Sequence, residues 1–189
     1  MKRTILAAVA ATALVLTGSA CGMNSATSGQ TTTTSATSAE VNPHDAMFAA
    51  MMIPHHEQAI EMSDLVPSRS DNRQLKDLAQ QIKDAQGPEI ETMSGWLKEW
   101  GMSTMGMDHS GHGMAGMMTD DDMQELEGLT GEAFDRKWLT MMIEHHEGAI
   151  TMARRVKDSG SDERVRTLAD QIITGQEKEI TTMKGMLAS

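Results

Sequence analysis

Cysteine is nearly absent from these 189 residues: there is one, at position 21. A lone thiol excludes an intramolecular disulfide framework and any zinc site that needs several thiolates. Positive charge is also scarce, with 16 basic side chains against 27 acidic ones and a net charge of −11. Neutralising phosphates takes a surplus of Lys and Arg, so nucleic acid is not expected as a partner. No stretch alternates convincingly with period two, so no sheet is expected. Glu-x-x-His, the di-iron motif of ferritin-like bundles, is missing, and so is the zinc-protease pattern His-Glu-x-x-His. No base-paired nucleophile or phosphate loop is visible either. These gaps argue against an enzyme and for a binding role.

Methionine is what the chain has in excess, 19 residues in all. Its side chain is a flexible core filler, and its thioether is a soft ligand suited to Cu(I). Composition alone leaves both uses open.

Residues 1–20 have the order of a secretory signal: Lys2-Arg3, an apolar run from Ile5 to Leu16, then Gly18-Ser19-Ala20. The run is too short for a comfortable membrane span. Cys21, directly after the small residues, resembles the lipobox cysteine of bacterial lipoproteins, although Gly18 stands where Leu is usual. That resemblance implies a lipidated Cys21, hence a membrane anchor and an exported protein at the cell surface or periplasmic face. Residues 21–43, with Thr31-Thr32-Thr33-Thr34, have little to bury and read as a disordered tether.

A shift of 90 residues overlays the rest of the chain on itself without a gap. Met51-Met52-Ile53-Pro54-His55-His56-Glu57 falls on Met141-Met142-Ile143-Glu144-His145-His146-Glu147, and nearly half the positions from Met51 to Leu97 are identical to their counterparts. This is an internal duplication. In each copy the apolar residues recur at helical spacing: Phe48, Met51, Met52, His55, Ala59, Met62 and Val66 share one arc, as do Trp138, Met141, Met142, His145, Ala149, Met152 and Val156. Pro54 and Pro88 should bend a helix or mark its edge. The expected fold is all-α: a ferritin-like four-helix bundle over residues 44–189, made of two duplicated hairpins, 44–100 and 131–189. Helices are expected near 44–66, 72–100, 120–157 and 162–187. The connection, 101–130, is long enough to run the length of the bundle and start the third helix at the opposite end.

His55 and His145 lie at the middle of their apolar arcs, with His56 and His146 about 100° round at the flank. Gln86, Glu89, Gln176 and Glu179 fall on otherwise apolar stripes of the second helices, where a buried carboxylate needs a partner. The inference is a duplicated polar layer in the core. Spacing does not decide whether it binds a metal directly or supplies partners that orient ligating histidines.

The crossover carries Met102, Met105, Met107, His109, His112, Met114, Met117 and Met118 among several glycines. Such a segment is not a regular core stripe. Clustered thioethers select Cu(I), imidazole accepts Cu(I) or Cu(II), and silver fits the same donors. The plainer alternative is a flexible linker whose methionines patch the bundle surface.

With its paired Met-Met-Ile-x-His-His-Glu-x-Ala-Ile-x-Met motifs, the chain resembles the bacterial domain of unknown function 305 family from about His44 to Leu187. The resemblance implies a ferritin-like four-helix fold and, by analogy with members tied to copper resistance, copper binding. It points to His55, His56, Met52 and Met62, with His145, His146, Met142 and Met152 in the second copy; Glu144 in place of Pro54 makes the two copies unequal. The expected protein is thus an extracytoplasmic copper-binding lipoprotein that buffers copper or hands it to another envelope protein. The alternative is a tethered helical interaction module without an essential metal.

Overall fold

The computed structural model describes residues 41–102 and 115–189. Among them are five helices and no strand: α1 (Pro43–Arg69), α2 (Arg73–Glu99), α3 (Asp120–Gly128), α4 (Gly131–Ser159) and α5 (Glu163–Leu187). Side chains that accept backbone N–H groups set most of the helix starts. Asn42 accepts from His44 N ahead of α1, with Pro43 in the first turn where its missing N–H costs nothing. Asn72 and Asp162 cap α2 and α5. Thr119 and Asp122 form a reciprocal capping box on α3. Pro54 and Pro88 lie inside continuous helices, so neither marks an edge.

Residues 120–157 do not form the one helix that periodicity predicts. Leu129 and Thr130 are extended and Gly131 has φ 61°, a left-handed conformation that glycine adopts without a Cβ penalty. The short α3 so released still buries Met123 and Leu126 in the core cluster that holds Phe134 and Trp138.

α1 packs against both α2 and α4, and α4 against both α1 and α5. Hydrogen bonds fix the directions. Asn42 Nδ2, before α1, donates to the Ser159 carbonyl at the end of α4 (3.1 Å). At the other end, the buried Trp138 Nε1–H donates to the Met62 carbonyl (3.0 Å). α1 and α4 are therefore antiparallel. Arg164 at the start of α5 forks onto Glu99 at the end of α2 (2.9 and 3.2 Å), so those two are antiparallel as well. α2 finishes at one end of the bundle and α4 begins at the other, which gives the single long crossover of ferritin-like bundles.

The apolar core falls into two clusters, one around Met62, Leu126, Phe134 and Trp138, the other around Phe48, Met52, Met93 and Trp96. In α1 the boundary between them falls at His55 and His56.

Candidate metal centre

All four paired histidines are fully buried. His56 and His146, at the flank of the apolar arc by spacing, are thus in the core as well. α1 and α4 each pack against two other long helices, so they bury more than the narrow arc read from one face. His55 and His145 meet across the α1–α4 seam with ring centroids 3.7 Å apart and planes tilted by 40°. The His146 ring is 6.4 Å from that of His145.

The carboxylates of the second helices pair with the outer rings. His56 Nε2 donates to Glu89 Oε2 and His146 Nε2 donates to Glu179 Oε2, both at 2.7 Å. Glu89 and Glu179 therefore partner His56 and His146, not the central pair. They are also only partly covered, which keeps the cost of holding a carboxylate there low. Gln86 and Gln176 are buried, and neither Gln86 amide atom nor Gln176 Oε1 has a hydrogen-bond partner.

These bonds fix where the imidazole lone pairs lie. A carbonyl or carboxylate can only accept, so a ring nitrogen facing one carries the hydrogen. His55 Nε2 faces the Ala115 carbonyl at 3.2 Å. In His55, His56 and His146 the remaining lone pair is then on Nδ1, which in all three is buried without a partner. In His145 neither ring nitrogen has one. A ring that donates to a carboxylate through one nitrogen and keeps the other bare has the arrangement of a metal-ligating histidine and its outer partner.

Charge points the same way. Burial, reinforced by repulsion from His56, pushes His55 from 6.5 down to about 3. Burial and the adjacent His55 hold His145 well below the ordinary histidine range. Both rings are neutral at physiological pH, the form that binds metals. Met52 and Met142 stand one helical turn before His55 and His145 and are fully buried. Among the described residues, no three His, Cys, Asp or Glu side chains are gathered closely enough to hold a metal by themselves. Imidazole and thioether donors suit a soft ion better than a hard cation needing six oxygens.

The repeats differ in their methionines. Met62 is fully buried, but its counterpart Met152 is half-exposed.

The end of the crossover is packed, contrary to the expectation of a loose segment. Met118 is buried in the core, and the Gln58 amide clamps its backbone: Nε2 donates to the Met118 carbonyl (2.9 Å) and Oε1 accepts from its N–H (2.8 Å). Ala115 and Gly116 lie against Gly148, where an added Cβ would stand 2.0 Å from the Ala115 carbonyl oxygen. The chain thus crosses directly over His55. Met117 is half-buried and Met102 exposed. Met105, Met107, His109, His112 and Met114 lie outside the described residues, as do the signal, Cys21 and most of the tether. Gln58, Gly148 and Ala115 were missed in the sequence. The available signal was the Gln58/Gly148 mismatch, one of three within the paired motifs.

The family model described as Domain of unknown function (DUF305) matches residues 45–187. The chain belongs to the DUF305 family. A DUF305 protein of Streptomyces coelicolor is 36% identical and superposes with a TM-score of 0.72 over 77% of this chain and 92% of that one. CopM in its Cu(II)-bound form is 33% identical, with a TM-score of 0.67 over 76% of this chain and 95% of CopM. CopM has also been solved in Cu(I)-bound, silver-bound and apo forms. Protein L153 of Acanthamoeba polyphaga mimivirus, itself uncharacterised, is 40% identical over 53 residues, 28% of this chain and 35% of that relative. The match thus spans about a third of L153. Among the described residues of this DUF305 chain, no helix is long and apolar enough to cross a membrane.

Proposed function

We propose that this DUF305 protein binds copper outside the cytoplasm as Cu(I), holds it in the bundle core, and buffers it or passes it to another envelope protein. The observation that carries the reading is the buried, neutral His55–His145 pair, where lone pairs are left bare at the meeting of the two repeats. His55 and His145 would be the principal donors. His56 and His146 would contribute bare Nδ1 atoms oriented by Glu89 and Glu179, and Met52 and Met142 would supply thioethers. Copper brings no reaction here; the chain's work is to exclude water and keep the rings neutral and in place. The role is binding, not turnover.

The solved copper and silver forms of CopM, at about a third identity over most of both chains, support the choice of ion. The crossover methionines and histidines would form a second, more exchangeable pool. Export and lipidation rest on Lys2-Arg3, the apolar run and Cys21. Cys21→Ala should move the protein from the detergent phase to the aqueous phase of a membrane extract.

The test is a Cu(I) titration against a competing chelator. The wild-type chain should win copper from a competing chelator, and a His55→Phe/His145→Phe variant should lose the most tightly held copper while still folding. A wild-type chain that takes no copper from the weakest chelator would remove this reading.

A further inference from the structure

A second set of soft donors lies outside the histidine core, where α1 begins and α4 ends. His44, Met47 and Met51 recur at helical spacing on one face of α1, and Met152 faces them from α4; together they line a cavity of about 50 Å³. Phe48 and Val156, both buried, also line it. Half of the lining residues carry a thioether or an imidazole. The space suits an ion, and falls far below the several hundred Å³ of small-molecule sites.

The walls are fastened to each other. Asn42 accepts from His44 N (2.8 Å) and donates to the Ser159 carbonyl (3.1 Å), which ties the first turn of α1 to the last of α4. The buried Asp45 carboxylate reaches across the same end and accepts from Ser161 N (2.9 Å) and Asp162 N (2.8 Å). The backbones that carry the four donors are therefore held in register. Met47 is 52% exposed. Met51 and Met152 are only partly buried, so none of the three methionines is fully committed to the core.

Arg155 also lines the cavity, and its charge opposes a hard cation. A thioether–Cu(I) or thioether–Ag(I) bond depends less on net charge, because soft donors share electrons with a polarisable ion. We propose that His44, Met47, Met51 and Met152 form a surface docking site for a soft monovalent cation, Cu(I) or Ag(I), separate from the buried histidines. The identity of the ion rests on the copper reading above; the site itself rests on the four donors.

The test uses the full chain with ¹³C-methyl methionine and ¹⁵N-histidine, titrated with silver alone as the probe. The Met47, Met51 and Met152 methyl signals and the His44 ring should shift together, and Met47→Leu/Met51→Leu/Met152→Leu should bind one silver fewer. Leucine conserves volume, so this variant should fold; unchanged His55 and His145 ring signals in its metal-free spectrum verify that it does. Stationary methyls while the His55 and His145 rings respond would overturn the docking site and leave the copper core standing. So would a triple variant with its full silver count. Responding methyls with silent core rings would do the reverse. If neither set responds, both readings fall.

Discussion

Gln58 and Gly148 occupy the same place in the two repeats, and each holds the same piece of the crossover by a different means. Gln58 grips the Met118 backbone with two hydrogen bonds, while Gly148 has no side chain, so Ala115 can lie against the helix. The duplication is broken where one chain segment must pass over a two-fold site. Gln58→Ala should cost roughly 1–3 kcal/mol, because the Met118 N–H and carbonyl lose their partners. Gly148→Ala should cost more, since its methyl meets backbone rather than a yielding side chain. In both variants the Met118 amide should exchange with deuterium faster than in wild type. Unchanged exchange would show that the crossover does not depend on this clamp.

Asp45 ties the repeats together at the opposite end of α1. It is almost fully buried and accepts from two backbone N–H groups at the start of α5, a cap supplied by another helix. Asp45→Ala should lower stability by about 2 kcal/mol, read from a denaturation midpoint, without changing copper stoichiometry in the core. A variant as stable as wild type would mean that water replaces the carboxylate without penalty.

The metal-free protein should lose stability as pH falls below the ordinary histidine range. Burial lowers His55 to about 3 and lowers His145 strongly, so the unfolded chain binds more protons between about pH 3 and 6.5. Stability is then complete above pH 6.5 and declines below it, by about 1.4 kcal/mol per pH unit for each such histidine. Denaturant melts between pH 7 and 5.5, above most carboxylate titration, should show this slope. His55→Phe/His145→Phe should flatten it. A flat wild-type profile would mean the central rings are not buried neutral.

Glu89 and Glu179 hold the tautomers of His56 and His146, so Glu89→Gln and Glu179→Gln should weaken Cu(I) binding by roughly 10–100-fold with little loss of fold. Competition titrations of each single variant measure this. Equal losses would indicate that the two repeats contribute alike, and no loss in either would confine the ligands to His55 and His145.

The topology was legible because the 90-residue repeat and the long link between copies admit few arrangements of four helices. The burial of His55 and His145 was equally legible from the centre of the apolar arc. His56 and His146 were not, because a one-face reading cannot tell that α1 and α4 each have two neighbours. Periodicity also runs straight through Leu129-Thr130-Gly131, since the break depends on a positive φ at Gly131 that leaves no trace in the apolar pattern. The pairing of Glu89 and Glu179 with the outer histidines needed the register across the short turns, which spacing gives only to within a turn. The packing of Met118 is not legible in its glycine-containing segment, because the Gln58 amide that clamps it comes from 60 residues earlier.

The bare lone pairs of the buried histidines are the proposed seat of a soft ion. Ring ¹⁵N spectra of ¹⁵N-histidine protein, recorded before and after one equivalent of Ag(I), test it most directly. Nitrogen signals of both His55 and His145 should move to positions typical of metal-bound imidazole, while His56 and His146 Nε2 keep their hydrogens. Silver taken up by the protein with the His55 and His145 signals unmoved would contradict it.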